Sequence, residues 1–481
     1  MSPVRFKNGI LLLASFAFCA FFSIQAAWVL LAVSLINYFC GRWIKSAREG
    51  KKKVFLILGL IFNVGVLAFF KYADFLIENL NQLTGQNFDL WHILLPVGIS
   101  FYIFQSLSYL IDVYLEKIKP ESNLVVFLLY MMFFSKFLQG PIERAGQLMP
   151  QFKKRFALDR YQSIQGLELF CLGLFKKAII ADRLAILVNT VFDDLHLYSG
   201  RSLALAVYAF TFQLYFDFAG YTDMARGIGK IFGIDLSPNF DQPFLATTIQ
   251  DFWRRWHITF SSWLRDYLFT PLMAQFRNYQ TLGMIAATLS TFFICGLWHG
   301  ASWNFVAFGL IHGIYMIGSI LTLKKRDKII IELLSSQQNF KSPDSINEAN
   351  GRFEVGKEKL NQALGISPMI VRWVRVVVTF HMVAFSFIFF RSGSLSDAFY
   401  IVSHLFSFAG GRGAVEVFSS TEILILFIAF GLMLNSSRTL MSPGALVSAK
   451  KYPRYVFYAV VINAILFLGV KTYAPFIYFK F

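Results

Sequence analysis

Long apolar segments separated by short polar loops dominate the chain. After Ile10 the apolar character continues to Cys40, and its only weak point lies at 23–25. At a rise of 1.5 Å per residue, this run is longer than the roughly 30 Å hydrocarbon core of a bilayer. It predicts an uncleaved membrane anchor, formed either by one long tilted helix or by two short helices broken near Ser23.

Ten further segments have the length and apolar character of membrane-embedded helices. Together with the N-terminal anchor they predict an all-α polytopic membrane protein, with roughly ten to twelve transmembrane helices and additional re-entrant or interfacial helices around a central tunnel. We expect a single membrane-embedded domain over 1–481. The segments are 54–71, 92–111, 124–139, 164–187, 203–230, 280–298, 302–322, 370–390, 421–434 and 455–471.

Composition agrees with this pattern and excludes several protein classes. Hydrophobic residues make up 56% of the chain and charged residues only 15%, whereas soluble domains carry about 25% charged residues. A water-soluble fold, a disordered chain and a disulfide scaffold are therefore excluded. The net charge of +17 indicates basic cytosolic loops that meet anionic lipid headgroups rather than a nucleic-acid site. The four cysteines form no CxxC pair, so we expect no metal site.

The charges of the loops predict the orientation of the helices. The loop 41–53 holds six Lys or Arg residues against one Glu, whereas 73–91 and 188–200 hold acidic residues and neither Lys nor Arg. The positive-inside rule places the first loop in the cytosol and the other two outside. The basic loops 324–369 and 435–454 are predicted to be cytosolic. Within the former, the polar stretch 324–368 is expected to be a cytosolic loop.

One segment conflicts with simple alternation of crossings. If both 92–111 and 124–139 crossed the membrane, the loop 141–163, with five Lys or Arg residues, would lie outside. The charges favour a cytosolic position instead. We therefore predict that 124–139 is re-entrant, a conformation that is tolerated only where the backbone is buried in protein or lines a cavity.

His299 is the first candidate for chemistry. It lies between two predicted helices, with Gly296 and Gly300 near it in the sequence, and such glycines allow another chain or a ligand to approach closely. Imidazole can take a proton from a hydroxyl group near neutral pH. The residue is either such a general base or a structural histidine that bonds a neighbouring helix, and ionisable groups at membrane depth usually have a function.

A second candidate region, 251–267, contains three tryptophans, three arginines and His257. One interpretation is an interfacial amphipathic helix with an aromatic belt and snorkelling arginines. The other is a donor-binding site, in which Arg254 and Arg255 clamp phosphate groups and an indole such as Trp256 stacks on an adenine.

Two aspartates lie on the apolar segment 203–230. Asp217 lies deep within it and Asp223 lies near its predicted cytosolic end. A carboxylate at this depth must pair with a cation or stay protonated. A buried ion pair that holds helices in register and a catalytic role both remain open.

Several motifs in the same order resemble those of the membrane-bound O-acyltransferase family, in particular its bacterial alginate O-acetyltransferase branch. The resemblance places the family's essential histidine on His299, its second histidine on His257 and a functional aspartate within 217–223. Trp298, Asn304 and backbone N–H groups are candidate oxyanion donors. The motifs are 252–257, 262–268 and 296–300, supported by 70–73, 95–102, 139–141, 175–177 and 215–221.

The resemblance implies a multi-pass enzyme of the bacterial inner membrane that O-acetylates an exopolysaccharide or cell-wall polymer, as in alginate biosynthesis. We expect cytosolic acetyl-CoA as the donor substrate, no bound cofactor, and His299 as general base. The acceptor is the polysaccharide or a carrier reached from outside. A periplasmic acetyltransferase is the expected partner protein, because the chain shows no such domain of its own.

A transporter of a polysaccharide or a small anion is the alternative function. It would also have many spans and intramembrane charges. Transporters often contain internal inverted repeats, however, and no repeat period is visible in this sequence.

Overall fold

Helices joined by loops make up the described part of the computed structural model, which covers residues 4–155, 159–335, 367–407, 420–435, 451–470 and 476–477. No β-strand occurs in these ranges, and seven of the helices found there are long and apolar enough to cross a membrane. The chain is thus an all-α polytopic membrane protein, as predicted.

The N-terminal half contains ten α-helices among the described residues, with π-helical turns at 68–72 and 176–181. These helices are α1 (Val4–Phe22), α2 (Ile24–Ser46), α3 (Glu49–Leu67), α4 (Ala73–Thr84), α5 (Ile99–Tyr114), α6 (Leu124–Met132), α7 (Ala145–Phe152), α8 (Arg160–Phe175), α9 (Asp182–Phe192) and α10 (Gly200–Ile231).

The C-terminal half begins with short helices and continues with long ones. Its described α-helices are α11 (Ile249–Arg255), α12 (Ile258–Leu264), α13 (Thr270–Gln275), α14 (Gln280–His299), α15 (Trp303–Ser335), α16 (Pro368–Arg391), α17 (Leu395–His404), α18 (Ser420–Asn435) and α19 (Lys451–Leu468). A π-helical turn at 265–269 joins α12 to α13.

The N-terminal apolar run forms two helices that are separated at Ser23. The Ser23 side chain caps α2 by accepting a hydrogen bond from the N–H of Ala26 at 3.2 Å. The predicted break is therefore confirmed, but the helices are not short. They contain 19 and 23 residues, so each is long enough to span a bilayer, because the first begins upstream of the apolar run and the second ends beyond it.

The segment 124–144 has the form of a re-entrant loop. Helix α6 has 9 residues, about 14 Å at 1.5 Å per residue, which is too short to cross a bilayer. A 3₁₀ turn at Phe134–Lys136 follows, and the chain then runs without regular structure to α7. Most of this stretch is buried within the protein, which is the condition for irregular backbone at membrane depth.

One face of the bundle collects the basic loops, and we call it the basic face. Lys52 pairs there with Glu116 at 3.2 Å, and Lys153 pairs with Glu121 at 2.7 Å. Lys7 donates a hydrogen bond to the carbonyl of Lys154 at 3.0 Å. The segments 41–53 and 141–155 thus lie on the same face, as their charges predict. They are not simple loops, however, because 41–46, 49–53 and 145–152 are helical.

The opposite face carries the segments 73–91 and 188–200, which lack Lys and Arg, and we call it the outer face. The prediction of loops is wrong for parts of both, since 73–84 forms α4 and 188–192 ends α9. The Asp74 carboxylate accepts the backbone N–H of Trp91 at 2.8 Å. The indole N–H of Trp303, at the start of α15, donates to Asn79 at 2.9 Å. Arg391 pairs with Asp193 at 3.5 Å. Helix α14 follows the turn 265–269, where Asp266 pairs with Arg144 of the basic face at 3.3 Å. It therefore begins towards the basic face and ends, at His299, towards the outer face.

Some predicted crossings and one predicted loop differ from the structure. The segments 92–111 and 164–187 do not form uninterrupted apolar spans, because α5 has only 16 residues and α8 and α9 are joined by a π-helix with two buried lysines. The predicted loop 324–368 is wrong at its start, since α15 continues to Ser335. Lys, Arg and Glu in this stretch are good helix formers and do not end a helix. Residues 336–366 lie outside the described ranges, and the single domain over 1–481 stays a prediction.

Candidate active site

His299 is the last residue of α14 and is buried, with 3% of its surface exposed. A Cβ on Gly296 would collide with the carbonyl oxygen of Phe305 on α15, and one on Gly300 would collide with the Phe305 ring. The interpretation of these glycines is thus confirmed: they allow α15 to approach the end of α14. The close approach fixes the backbone that carries the imidazole.

Aromatic rings surround the His299 imidazole. Packing against apolar rings removes water from the imidazole and fixes its orientation. The neighbouring rings have centroids 4.8 Å (Trp298), 5.1 Å (Phe390), 5.5 Å (Phe308) and 5.8 Å (Phe260) from the centroid of His299.

His257 lies between α11 and α12 with a left-handed backbone, at φ 42° and ψ 55°. Such a conformation costs a non-glycine residue about 1–3 kcal/mol and concentrates at functional sites. The N–H of the next residue, Ile258, is held by the carbonyl of Asn239 at 2.9 Å. Burial lowers the pKa of His257, which lies outside the predicted spans, to about 3. The imidazole is therefore neutral at physiological pH.

The two histidines, which are far apart in the sequence, come together around shared aromatic rings. The His257 ring lies 4.9 Å from Phe260 and 5.8 Å from Trp298, centroid to centroid. Both of these rings also contact His299. Neither ring nitrogen of His257 has a hydrogen-bond partner among the described residues. Buried polar atoms of this kind are costly unless water or a ligand satisfies them.

Lys71 is a functional candidate to which the sequence argument gave no role. Its ammonium group donates hydrogen bonds to the backbone carbonyls of Trp298 and His299, and Tyr72 donates one to Leu297 at 2.8 Å. Both residues belong to the π-helical turn Ala68–Tyr72, and π-bulges are frequent at functional sites. A lysine within the apolar run after 54 was the available signal.

Of the candidate oxyanion donors, Trp298 contacts both histidines, whereas Asn304 bonds to the end of α16. The Asn304 amide donates to the carbonyls of Ser392 at 2.7 Å and Phe389 at 3.3 Å. These bonds join the start of α15 to the end of α16, next to Phe390, which is one of the aromatic rings around His299. Asn304 therefore helps to hold α15 and α16 together next to the site.

The donor-binding candidates differ in availability. Trp256 is buried among Phe240, Phe252 and other rings, so it is a core residue here. Arg255 pairs with Asp251 at 2.9 Å. Arg254 is exposed and has no ion pair among the described residues, which leaves it the better candidate for contact with an anionic donor.

Asp217 and Asp223 both form ion pairs with lysines. Asp217 pairs with Lys177 at 2.6 Å and accepts the backbone N–H of Ile477 at 3.1 Å. Asp223 pairs with Lys176 at 2.6 Å. Both bonds join α10 to the π-helical turn after α8, which is the register-holding arrangement left open by the sequence.

Comparisons with known proteins identify the family of the chain. Residues 115–329 match MBOAT, the membrane-bound O-acyltransferase family. The chain is 31% identical to a "Probable alginate O-acetylase" of Pseudomonas putida, over all of this chain and 96% of that protein. It is 39% identical to the Azotobacter vinelandii protein of the same name, over 66% of this chain and 64% of the relative.

A further relative carries the name "Peptidoglycan O-acetyltransferase" and comes from Helicobacter pylori. It is 38% identical over 63% of this chain and 62% of its own length. The chain thus spans somewhat less than two thirds of two of these three relatives. The names and the family favour an acyltransferase over a transporter, as the motifs predicted. The chain belongs to the membrane-bound O-acyltransferase family.

Proposed function

We propose that the protein transfers an acetyl group from cytosolic acetyl-CoA to a hydroxyl group of an extracytoplasmic polymer, with His299 as general base. The observation that carries this proposal is the position of His299. Its imidazole is buried beside His257 at the end of α14, between the basic face and the outer face. A thioester arriving from one side and a hydroxyl arriving from the other can meet there.

In the proposed reaction the acceptor hydroxyl loses its proton to the His299 imidazole while its oxygen attacks the thioester carbonyl carbon. The tetrahedral intermediate then collapses and the carbon–sulfur bond breaks. The CoA thiolate leaves and takes up the proton that the imidazolium holds. A positioned base contributes about 10²–10⁴-fold to such a step. The thiolate is a fair leaving group, since an ordinary thiol has a pKa of about 8.5.

The second histidine is proposed to act in positioning. His257 shares Trp298 and Phe260 with His299, and neither of its ring nitrogens has a hydrogen-bond partner in the part of the chain that the structure describes. A neutral imidazole can accept one hydrogen bond and donate another. It is therefore suited to holding a polar group of either substrate, or a water, beside the reacting carbonyl.

The names of the relatives support a polysaccharide or cell-wall polymer as the final acceptor, because they include alginate and peptidoglycan O-acetylating proteins. We propose the bacterial inner membrane as the location and a tunnel as the route to His299. We also propose a periplasmic acetyltransferase as a partner protein. On the donor side, Arg254 is proposed to bind a phosphate of CoA.

The test uses the purified protein in proteoliposomes with acetyl-CoA and a thiol reagent. His299→Ala is expected to lower acetyl-CoA-dependent thiol release and acetyl transfer at least 10²-fold, because the general base is lost. His381→Ala is the matched control, since His381 lies exposed on α16. Wild-type rates in the His299 variant, at equal amounts of membrane protein, would remove His299 from the mechanism.

A further inference from the structure

His312, on α15, is a buried histidine that lies outside the pair formed by His257 and His299. Its side chain is inaccessible to solvent, and both of its ring nitrogens have partners on other helices. The indole N–H of Trp253, on α11, lies 3.3 Å from Nδ1. The hydroxyl of Ser386, on α16, lies 2.8 Å from Nε2. One imidazole therefore joins three helices.

The direction of these hydrogen bonds follows from the chemistry of Trp253. An indole nitrogen only donates, so Nδ1 of His312 accepts and carries no proton. The one proton of the neutral imidazole is then on Nε2, and this N–H donates to the Ser386 oxygen. The Ser386 hydroxyl donates in turn to the carbonyl of Val383 at 2.7 Å. The contacts thus form a directed chain that requires one tautomer of a neutral imidazole.

A serine beside a histidine can also be a nucleophile, but the arrangement at Ser386 does not fit that role. A nucleophilic serine gives its proton to the neighbouring imidazole. Here Nε2 of His312 already carries a proton, and the hydroxyl proton points to the Val383 carbonyl. The chain therefore holds helices together and activates no nucleophile.

The ring of His312 reaches the proposed base through one shared neighbour. The Phe308 ring lies 4.8 Å from His312 and 5.5 Å from His299, centroid to centroid. Phe308 also lies 5.1 Å from Phe390, which contacts His299 at the same centroid distance of 5.1 Å. A shift of the His312 ring would therefore move two of the rings that orient His299.

Each of the three joined helices leads to a residue of the candidate active site. A displacement of any one helix would change the distance between the two site histidines or the packing around them. The pairs are Trp253 with His257, His312 with Phe308, and Ser386 with Phe390, and the members of each pair are four residues apart.

We propose that His312 is a positioning residue for acyl transfer, which holds the segment of His257 and the rings around His299 in register through Trp253 and Ser386. A buried polar network whose members are all satisfied is rigid and specifies one arrangement. The inference rests on the proposed function for its catalytic meaning, but the positions of the rings can be measured without turnover.

The first experiment measures kcat and KM for acetyl-CoA in proteoliposomes. His312→Phe keeps an aromatic ring but removes both hydrogen bonds. It is expected to lower kcat about 10²-fold, the effect of a small misplacement of reacting groups, and to leave KM nearly unchanged. His312→Asn keeps an acceptor for Trp253, and His312→Gln keeps a donor for Ser386, so each should restore part of kcat. A residue that only stabilises the fold would change the amount of folded protein without this split.

The partners of His312 supply a second kinetic comparison. Trp253→Phe or Ser386→Ala, added to His312→Phe, should lower kcat little further, because the same contacts are already lost. Thr291→Val is the matched control, since the buried Thr291 hydroxyl donates only within α14, to Ala287 at 2.7 Å. It should leave kcat unchanged. Wild-type kcat in His312→Phe, or fully additive losses, would overturn the proposal.

The second experiment records ¹⁵N magnetic resonance spectra of the histidine-labelled protein in lipid bilayers without substrates. The signals of His312, assigned by their loss in His312→Gln, should show the Nε2–H tautomer. His312→Phe should shift the ring signals of His299, and Thr291→Val should not. An Nδ1–H tautomer at His312, or unshifted His299 signals, would overturn the proposal. A wild type with the expected spectra but without acyl transfer would instead refute the proposed function.

Discussion

The glycines beside the proposed base show how single residues position the site. Gly296 on α14 and Gly309 on α15 face each other, and a Cβ on either would collide with a backbone carbonyl of the opposite helix. The helices can therefore pack closely only because both side chains are absent. The orientation of His299, three residues beyond Gly296, depends on this contact.

Gly296→Ala is expected to destabilise the protein by about 1–3 kcal/mol, the usual cost of overpacking, and to lower acyl transfer by moving His299. Gly318→Ala is the matched control, because the corresponding position on α15 meets nothing within 4 Å. Thermal unfolding in detergent and acetyl transfer per folded molecule measure the two effects. Unchanged activity in Gly296→Ala would show that the helix contact does not determine the position of the base.

At the scale of residues, the sequence singled out the two histidines as candidates and predicted a close approach at the glycines. It did not predict which side chains surround them. His299 and His257 lie in recognisable motifs, but their convergence around Trp298 is visible only in the structure. The role of Lys71 was missed because its partners are backbone carbonyls more than two hundred positions away in the chain. The sequence suggests Trp256 as an indole that stacks on an adenine. In the folded core, neighbouring rings cover it.

At the scale of elements, the bundle depends on polar contacts between apolar helices. Lys177 pairs with both Asp217 and Asp182, at 2.6 and 2.8 Å, and so joins α10 to the junction of α8 and α9. Removing one partner of a buried pair leaves an uncompensated charge, which costs about 3–5 kcal/mol. The composition of the sequence predicted charges at depth, but it did not predict which charges pair.

Lys177→Met is therefore expected to lower the thermal unfolding midpoint more than Asp217→Asn, because it leaves two carboxylates without their cation. The double variant Lys177→Met with Asp217→Leu should recover part of the loss. Asp223→Asn serves as the control at the neighbouring pair with Lys176. An Asp217→Asn protein with wild-type stability but no acyl transfer would instead establish a catalytic role for Asp217.

Short and broken helices mark the elements where periodicity alone fails. The segment 124–139 has the apolar character of a span, and 251–267 has the tryptophans and arginines of a surface helix. Both nevertheless fold as short helices within the protein. Backbone polar groups at this depth need partners inside the molecule. Those partners come from distant elements, as when Thr259 accepts the N–H of Ile142 at 3.0 Å, and a window of sequence does not reveal them.

At the scale of the whole molecule, the two faces form a consistent arrangement of charge. The segment 141–155 contacts Lys7 at the N-terminus, Glu121 before α6 and Asp235 after α10. These contacts place the segment with the other basic segments, and the positive-inside rule predicts that this face is cytosolic. On that prediction, a donor from the cytosol and an acceptor from outside would approach His299 from opposite sides.

This arrangement predicts which positions a membrane-impermeant maleimide labels. In a Cys171→Ser background, whose other three cysteines are buried, Lys154→Cys should react in inside-out vesicles only and Gln82→Cys in right-side-out vesicles only. Both positions are exposed, so accessibility reports the side of the membrane. Reaction of Lys154→Cys in right-side-out vesicles and of Gln82→Cys in inside-out vesicles would contradict the predicted orientation. The basic face would then lie outside, and the proposed routes of donor and acceptor would be exchanged.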